Sequence, residues 1–296
     1  MPVRRRAVLI GLAGVLADGR AGWAAPAAGP DGPERGPLRE QVWWIPFHRA
    51  EGGPPLMLVT TVYRPPGVGP FPLALINHGA PREDSARRGM ERMRFSAAAA
   101  WFVGRGYAVA VPARRGYARS EGEFAEARGP CAAPRYAEAG EASADDIAAA
   151  LGFFRARPFV SADRVVLVGQ SAGGWGVLAL AARSPPGVRC ALNFAGGRGS
   201  PAPNIVCGPD RLAEAAAALG ARTRLPSLWI YTENDTYQPP AVSRRVSEAY
   251  TGAGGPARYL LLPPFGTEGH DLFRAREGVA IWAPHVGPFL RAAGLP

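Results

Sequence analysis

Apolar positions recur along the chain in two rhythms that take turns. Short runs rich in β-branched and aromatic residues at 42–47, 56–63, 73–77, 107–111, 165–168, 190–194, 227–231 and 258–262 predict strands. Segments with helical spacing separate most of them, at 86–104, 138–157, 176–182, 211–219, 241–250 and 273–290. Within 138–157, Ile147, Ala150, Leu151 and Phe154 recur at i, i+3, i+4 and i+7. Pro284 is placed to bend the last helix. The first two strands flank the turn-forming residues 51–55, which predicts an antiparallel hairpin at the sheet's edge. From Leu73 onward strand and helix alternate. That is the pattern of an α/β fold with a mostly parallel central sheet, helices on both faces and an antiparallel N-terminal edge. Trp43 and Trp44 adjoin on one strand and must face opposite ways, so one of them is expected to be partly exposed.

Three segments are expected within the 296 residues. Residues 1–27 read as an export signal: Arg4, Arg5 and Arg6 precede an apolar stretch over 7–16, and the small residues of 21–28 suit a signal peptidase, with cleavage after Ala25 or Ala27. Residues 28–39, with their prolines and glycines, read as a flexible linker, and 40–296 as a single catalytic domain. The mature part holds no apolar run of the ~18 residues that a membrane span requires. A periplasmic or extracellular location follows from the signal.

The net charge of +10 comes from arginine alone, scattered along the chain rather than interleaved with aromatics in one patch. This argues against a nucleic-acid partner, although such an excess of cations can attract anionic surfaces or acidic substrates. Of the three cysteines, Cys190 lies in an apolar strand and is expected to be a buried thiol. Cys131 and Cys207 lie in loops containing Gly and Pro and are the better pair for a disulfide in an exported protein. No Cys/His spacing suggests a metal site.

The strand at 165–168 runs into Gly169-Gln170-Ser171-Ala172-Gly173, a G-x-S-x-G pattern, and leaves into small, helix-compatible residues. Strand, tight turn and helix leave Ser171 at the tip, with the Ala172 amide at the helix start, where it can stabilise an oxyanion. Functional groups in such sheets gather at the C-terminal strand ends. Asp235, His270 and the turn His78-Gly79-Ala80 fall at such ends. Among the other histidines, His48 sits in an early edge strand, His285 in the closing helix, and His78 is expected to shape its loop rather than carry protons. Glu233 and Asp271 are the alternatives to Asp235, one still on the strand end and the other adjacent to the histidine. Arg114 and Arg115 read as braces of the neighbouring loops through ion pairs. Tyr117, Trp175, Tyr237 and Phe265 fall in or beside these loops and are candidates to line a substrate pocket, with core packing an equal alternative for Trp175.

With His78-Gly79-Ala80-Pro81, Arg115-Gly116, Ser120-Glu121-Gly122, Gly169 to Gly173, Asn234-Asp235 and Gly269-His270 in this order, the chain resembles the α/β-hydrolase superfamily over residues 40–292. Within it, the dienelactone-hydrolase-like and prolyl-oligopeptidase-like branches are the nearest in pattern. The resemblance implies Ser171 as nucleophile, His270 as general base and later general acid, and Asp235 as the group that orients His270. It implies an oxyanion hole from the backbone N–H groups of Ala80 and Ala172, and chemistry without metal or organic cofactor. The expected reaction is hydrolysis of carboxylic esters through an acyl-enzyme. A prolyl-oligopeptidase-like peptidase and a catalytically silent binding protein are the alternatives. Residues 195–226 are too few for a large helical lid, so an open cleft that admits bulky or polymeric esters is expected.

Overall fold

The structure, a computed structural model, describes residues 26–83 and 85–296. Its strands are β1 (Gly29–Arg35), β2 (Glu40–Phe47), β3 (Leu56–Tyr63), β4 (Phe71–Asn77), β5 (Ala108–Pro112), β6 (Val160–Gln170), β7 (Val188–Phe194), β8 (Ser227–Thr232) and β9 (Ala257–Leu262). The helices are α1 (Ala86–Gly89), α2 (Ser96–Val103), α3 (Tyr136–Arg155), α4 (Ala172–Ala181), α5 (Pro209–Arg222), α6 (Pro240–Gly252) and α7 (Gly278–Ala292). All nine strands join one sheet in the order β1-β2-β3-β5-β4-β6-β7-β8-β9. The pairs β1/β2, β2/β3 and β3/β5 are antiparallel, and the rest of the sheet is parallel. This is the α/β-hydrolase fold that the resemblance implies.

The central parallel strands carry continuous apolar runs, Leu73 to Ile76 and Val165 to Val168, because both of their faces are covered there. Leu73, Leu75, Val165 and Leu167 face a core built with Ile147, Leu178, Leu212 and Val246 of α3 to α6. Ala74, Ile76, Val166 and Val168 face a second core with Phe102 of α2 and Trp282, Val286 and Leu290 of α7. Pro284 and Pro288 both lie inside α7, which begins five residues later than the spacing suggests.

The export signal at 1–27 lies outside the described residues except for its last two. Four other expectations are corrected. The adjoining segment is no loose linker: β1 pairs antiparallel with β2, so the β2/β3 hairpin sits one strand in from the edge. An edge strand with mostly exposed side chains carries no hydrophobic signal, and prolines are tolerated there because one side of the strand has no partner to receive an N–H. Hydrogen bonds from Gln41 Nε2 to the Gly32 carbonyl at 2.7 Å and from Trp44 Nε1 to Asp31 at 2.9 Å fasten it. Trp43 and Trp44 do face opposite ways, yet both are buried, because Trp44 has its own small cluster with Met57, Val59, Ala113 and Ala118. Residues 86–104 form two helices rather than one, and the irregular piece between them carries six residues of the cavity wall described below.

The loops that follow β5 and β7 are joined by a Cys131–Cys207 disulfide, 76 residues apart in sequence, while Cys190 is a buried thiol. Closing a loop of that length restricts the unfolded chain by an amount on the order of 4 kcal/mol. Replacing both cysteines by serine is therefore expected to lower the unfolding free energy by up to that much in urea titrations under oxidising conditions, and an unchanged midpoint would contradict the assignment.

Candidate active site

The site is built at the C-terminal ends of β4, β6 and β8 and on the loop after β9. Strand β6 ends at Gln170, and the chain turns into α4 through Ser171, which adopts φ 55°, ψ −124°. That backbone region is costly for any residue with a Cβ and persists only where neighbours enforce it. Here the Ser171 N–H donates to the Phe194 carbonyl at 2.9 Å, and the Ser171 carbonyl accepts from Trp175 at 3.0 Å and Gly197 at 3.2 Å. Close packing does the rest: a Cβ at Gly79 would lie 2.9 Å from the Ser171 Cβ, and one at Gly173 would collide with the Asn77 carbonyl.

His270 occupies a short 3₁₀ turn, Gly269–Asp271. Its Nδ1 lies 3.0 and 3.1 Å from the two carboxylate oxygens of Asp235, which itself accepts the Tyr237 and Gln238 amides at 2.8 Å each. A carboxylate accepts, so Nδ1 carries the hydrogen and Nε2 is left without a partner among the described residues. Two side chains fix the backbone of this turn: Gln170 donates to the His270 carbonyl at 2.9 Å, and Glu268 accepts the His270 N–H at 3.0 Å. Gln170 thereby ties the base loop to the residue immediately before Ser171. Burial separates the candidates, for Asp235 is enclosed, Glu233 is exposed and Asp271 faces Arg274 at 3.6 Å.

His78 is also buried, and its role is legible from its bonds. Nε2 accepts the Arg114 N–H at 3.2 Å, so Nδ1 is the protonated nitrogen and donates to the Gly79 carbonyl at 2.7 Å. Burial, with the Arg114 cation second, pushes its pKa down to about 3, which keeps the ring neutral. The Gly79 carbonyl and the Ala80 N–H belong to one trans peptide plane and point in opposite directions. By holding the carbonyl, His78 sets the direction of the Ala80 N–H. Beneath it Arg114 donates to the His78 carbonyl at 2.7 Å and pairs with Glu126, which also meets Arg198 at 2.5 Å and the Tyr117 hydroxyl at 3.2 Å. The two arginines hold the Glu126 carboxyl far below the usual carboxylate range, against the opposing effect of its burial. Arg115 pairs with Asp146 at 2.5 Å, so both arginines are braces.

A cavity of about 970 Å³ opens over these groups, lined by His78, Gly79, Ala80, Gln170, Ser171 and His270 at its base. Tyr237 is part of this wall and stacks on the His270 ring at 4.2 Å between centroids, the planes 15° apart. The other three aromatic candidates are elsewhere. Tyr117 is buried edge-on against His78 with its hydroxyl on Glu126, and Trp175 is in the core with Nε1 donating to the Tyr136 carbonyl. Phe265 packs against the second core and exchanges hydrogen bonds with Asn234. Sequence reasoning missed Glu126, Arg198, Gln170, Glu268 and the wall from Met90 to Phe95. Glu126 and Arg198 lie in irregular loops 72 residues apart, where no periodicity exists to announce a pairing. No group of three or more His, Cys, Asp or Glu residues suited to a metal occurs among the described residues.

A nucleophile-elbow serine, an Asp-held histidine and a parallel sheet define an α/β-hydrolase-fold serine hydrolase. The chain belongs to the S15 family, whose model, described as X-Pro dipeptidyl-peptidase, matches residues 53–200. No curated protein matches the sequence. Solved structures share the fold at low identity. An acetyl xylan esterase from Paenibacillus sp. R4 superposes with a TM-score of 0.60 at 17% identity, covering 89% of this chain and 87% of the other. An esterase from Pyrococcus furiosus gives 0.59 at 12%, covering 90% and 99%. A puromycin-hydrolyzing peptidase from Mycobacterium tuberculosis gives 0.57 at 19%, covering 84% of this chain but only 39% of that one.

The depressed His78 pKa has a consequence for stability. The unfolded histidine, with its ordinary value near 6.5, takes up a proton that the folded one refuses, so stability falls as pH drops from about 6.5 toward 3. Asp146, raised to about 6 by burial, acts in the opposite sense from about 6 down to 3.8, and Glu126 adds its own loss below 4.5. Urea midpoints of the wild type and of His78→Asn between pH 6.5 and 5 isolate the first effect. The wild type is expected to lose up to about 1.4 kcal/mol more per pH unit than the variant; parallel curves would refute the buried neutral histidine.

Proposed function

We propose that the protein is an exported serine esterase that cleaves carboxylic esters through an acyl-enzyme. The observation that carries the reading is the meeting of Ser171 and His270 at the base of one cavity, with the His270 Nδ1 on Asp235. In this reading Ser171 Oγ attacks the ester carbonyl while His270 Nε2 takes its proton, and Asp235 stabilises the imidazolium that forms. The carbonyl oxygen becomes an oxyanion held by the N–H groups of Ala80 and Ala172, each worth about 3 kcal/mol of transition-state stabilisation. The alcohol leaves with the proton from His270. Water then repeats the sequence against the acyl-serine, giving the carboxylic acid and free Ser171. The Cys131–Cys207 disulfide supports an oxidising compartment and hence export.

Family membership favours a second reading, cleavage of peptide bonds after an N-terminal dipeptide. An enzyme of that kind must hold the substrate's α-ammonium group, for which carboxylates are the natural partners. Five arginines line this cavity against three carboxylates among the described residues, which supports the ester. The large cavity and the lack of any helical insertion between β7 and α5 support access for bulky esters.

A panel of p-nitrophenyl esters of increasing acyl length, run beside a dipeptidyl anilide, tests the reading. Ester turnover is expected to fall at least about a thousandfold in Ser171→Ala. Turnover of the anilide alone would favour the peptidase, and activity that survives in Ser171→Ala would refute both.

A further inference from the structure

The wall of the cavity carries a guanidinium with no counter-ion among the described residues. Arg82 follows the His78-Gly79-Ala80-Pro81 turn and lies flat on Tyr237, its guanidinium carbon 3.5 Å from the ring centre, and Tyr237 in turn lies flat on His270. Nη2 makes all of its hydrogen bonds, to Ser200 Oγ at 3.4 Å, the Thr236 carbonyl at 3.4 Å and Thr236 Oγ1 at 3.3 Å. All three acceptors are neutral. Among the described residues neither Nε, which is shut away from water, nor Nη1 has an acceptor. Three of the neighbouring arginines differ in this respect. Arg92 and Arg94 share Glu40 at 2.6 and 3.0 Å, and Arg274 has Asp271.

A half-buried cation fixed by stacking loses part of its hydration without gaining a carboxylate, so an anion that reaches it is bound more strongly than at a free surface arginine. Its place in the layered order Arg82, Tyr237, His270 puts such an anion on the same wall as the reacting centre. The geometry points to Arg82 as the recognition site for a carboxylate carried by the substrate, so that the ester cleaved at Ser171 is an anionic one. This rests on the esterase reading for its catalytic consequence, but the binding half stands without it. Glu83, Glu91 and Asp271 line the same cavity and oppose any anion, and Asp271 already occupies Arg274, which places the demand on Arg82 and on the exposed Arg276.

Two isosteric pairs separate the charge from the shape. The binding pair, 4-hydroxybenzoate and 4-hydroxybenzamide, is titrated calorimetrically into Ser171→Ala protein, which needs no turnover. The carboxylate is expected to bind about tenfold more tightly than the amide. Adding Arg82→Gln is expected to bring the ratio to about one, and Arg82→Lys to restore part of it. The kinetic pair, 4-acetoxybenzoate and 4-acetoxybenzamide, is compared by the ratio of kcat/KM values in the wild type and Arg82→Gln, with the same expected collapse. Equal affinities for the binding pair, or a preference that Arg82→Gln leaves intact, would overturn the inference. Carboxylate binding that depends on Arg82 without hydrolysis of either ester would instead overturn the esterase reading and leave the site standing.

Discussion

The backbone of Ser171 is the constraint on which the rest of the site depends. At φ 55° the residue costs of the order of 1–3 kcal/mol relative to ordinary geometry, and only a surround that leaves no alternative keeps it there. Strand β6 must be central for this to work, since the β7 end supplies the carbonyl that receives the Ser171 N–H, and the β4 turn closes in through Gly79. Two parallel neighbours and a helix starting at Ala172 follow from that requirement. The serine is thereby lifted out of the sheet at the one place where loops from both sides converge.

Those loops are held by buried charge rather than by apolar packing alone. Glu126 is enclosed with Arg114 and Arg198, and through them it joins the turn after β4, the loop after β5 and the loop after β7. A group of this kind contributes little net stability compared with an apolar substitute, but removal of any one member leaves the others charged and unsatisfied. It acts as a register pin. The neutral His78 that rests on Arg114 then transmits the position of the β5 loop to the peptide that bears the Ala80 N–H. On the opposite side Asp235 and Glu268 perform the same service for His270, with four hydrogen bonds to backbone N–H groups between them.

The central strands and the helices that cover them were legible because burial on both faces leaves continuous apolar runs, as at Leu73 to Ile76 and Val165 to Val168. The positions of Ser171, Asp235 and His270 were legible because strand ends in an alternating α/β chain fall on one edge of the sheet. Strand β1 was not, since an exposed edge strand has no apolar face to show. Nor was the fate of Tyr117, Trp175 and Phe265: adjacency to a loop tells which residues are near a site but not which way each ring turns. Tyr117 turned inward because its hydroxyl found Glu126, a partner nine residues away in a segment without periodicity. Residues 90–95 looked helical from their neighbours, yet Thr61 on β3 and Glu40 on β2 draw Arg92 out of helical register.

The esterase reading requires that this fold activate one serine. Treatment of the native protein with a fluorophosphonate, followed by intact-mass measurement and peptide mapping, tests it most directly. One adduct per chain, on Ser171, forming at a rate that collapses in His270→Ala, is the predicted result. No adduct, an adduct on another residue, or labelling of Ser171 at the same rate without His270 would contradict it.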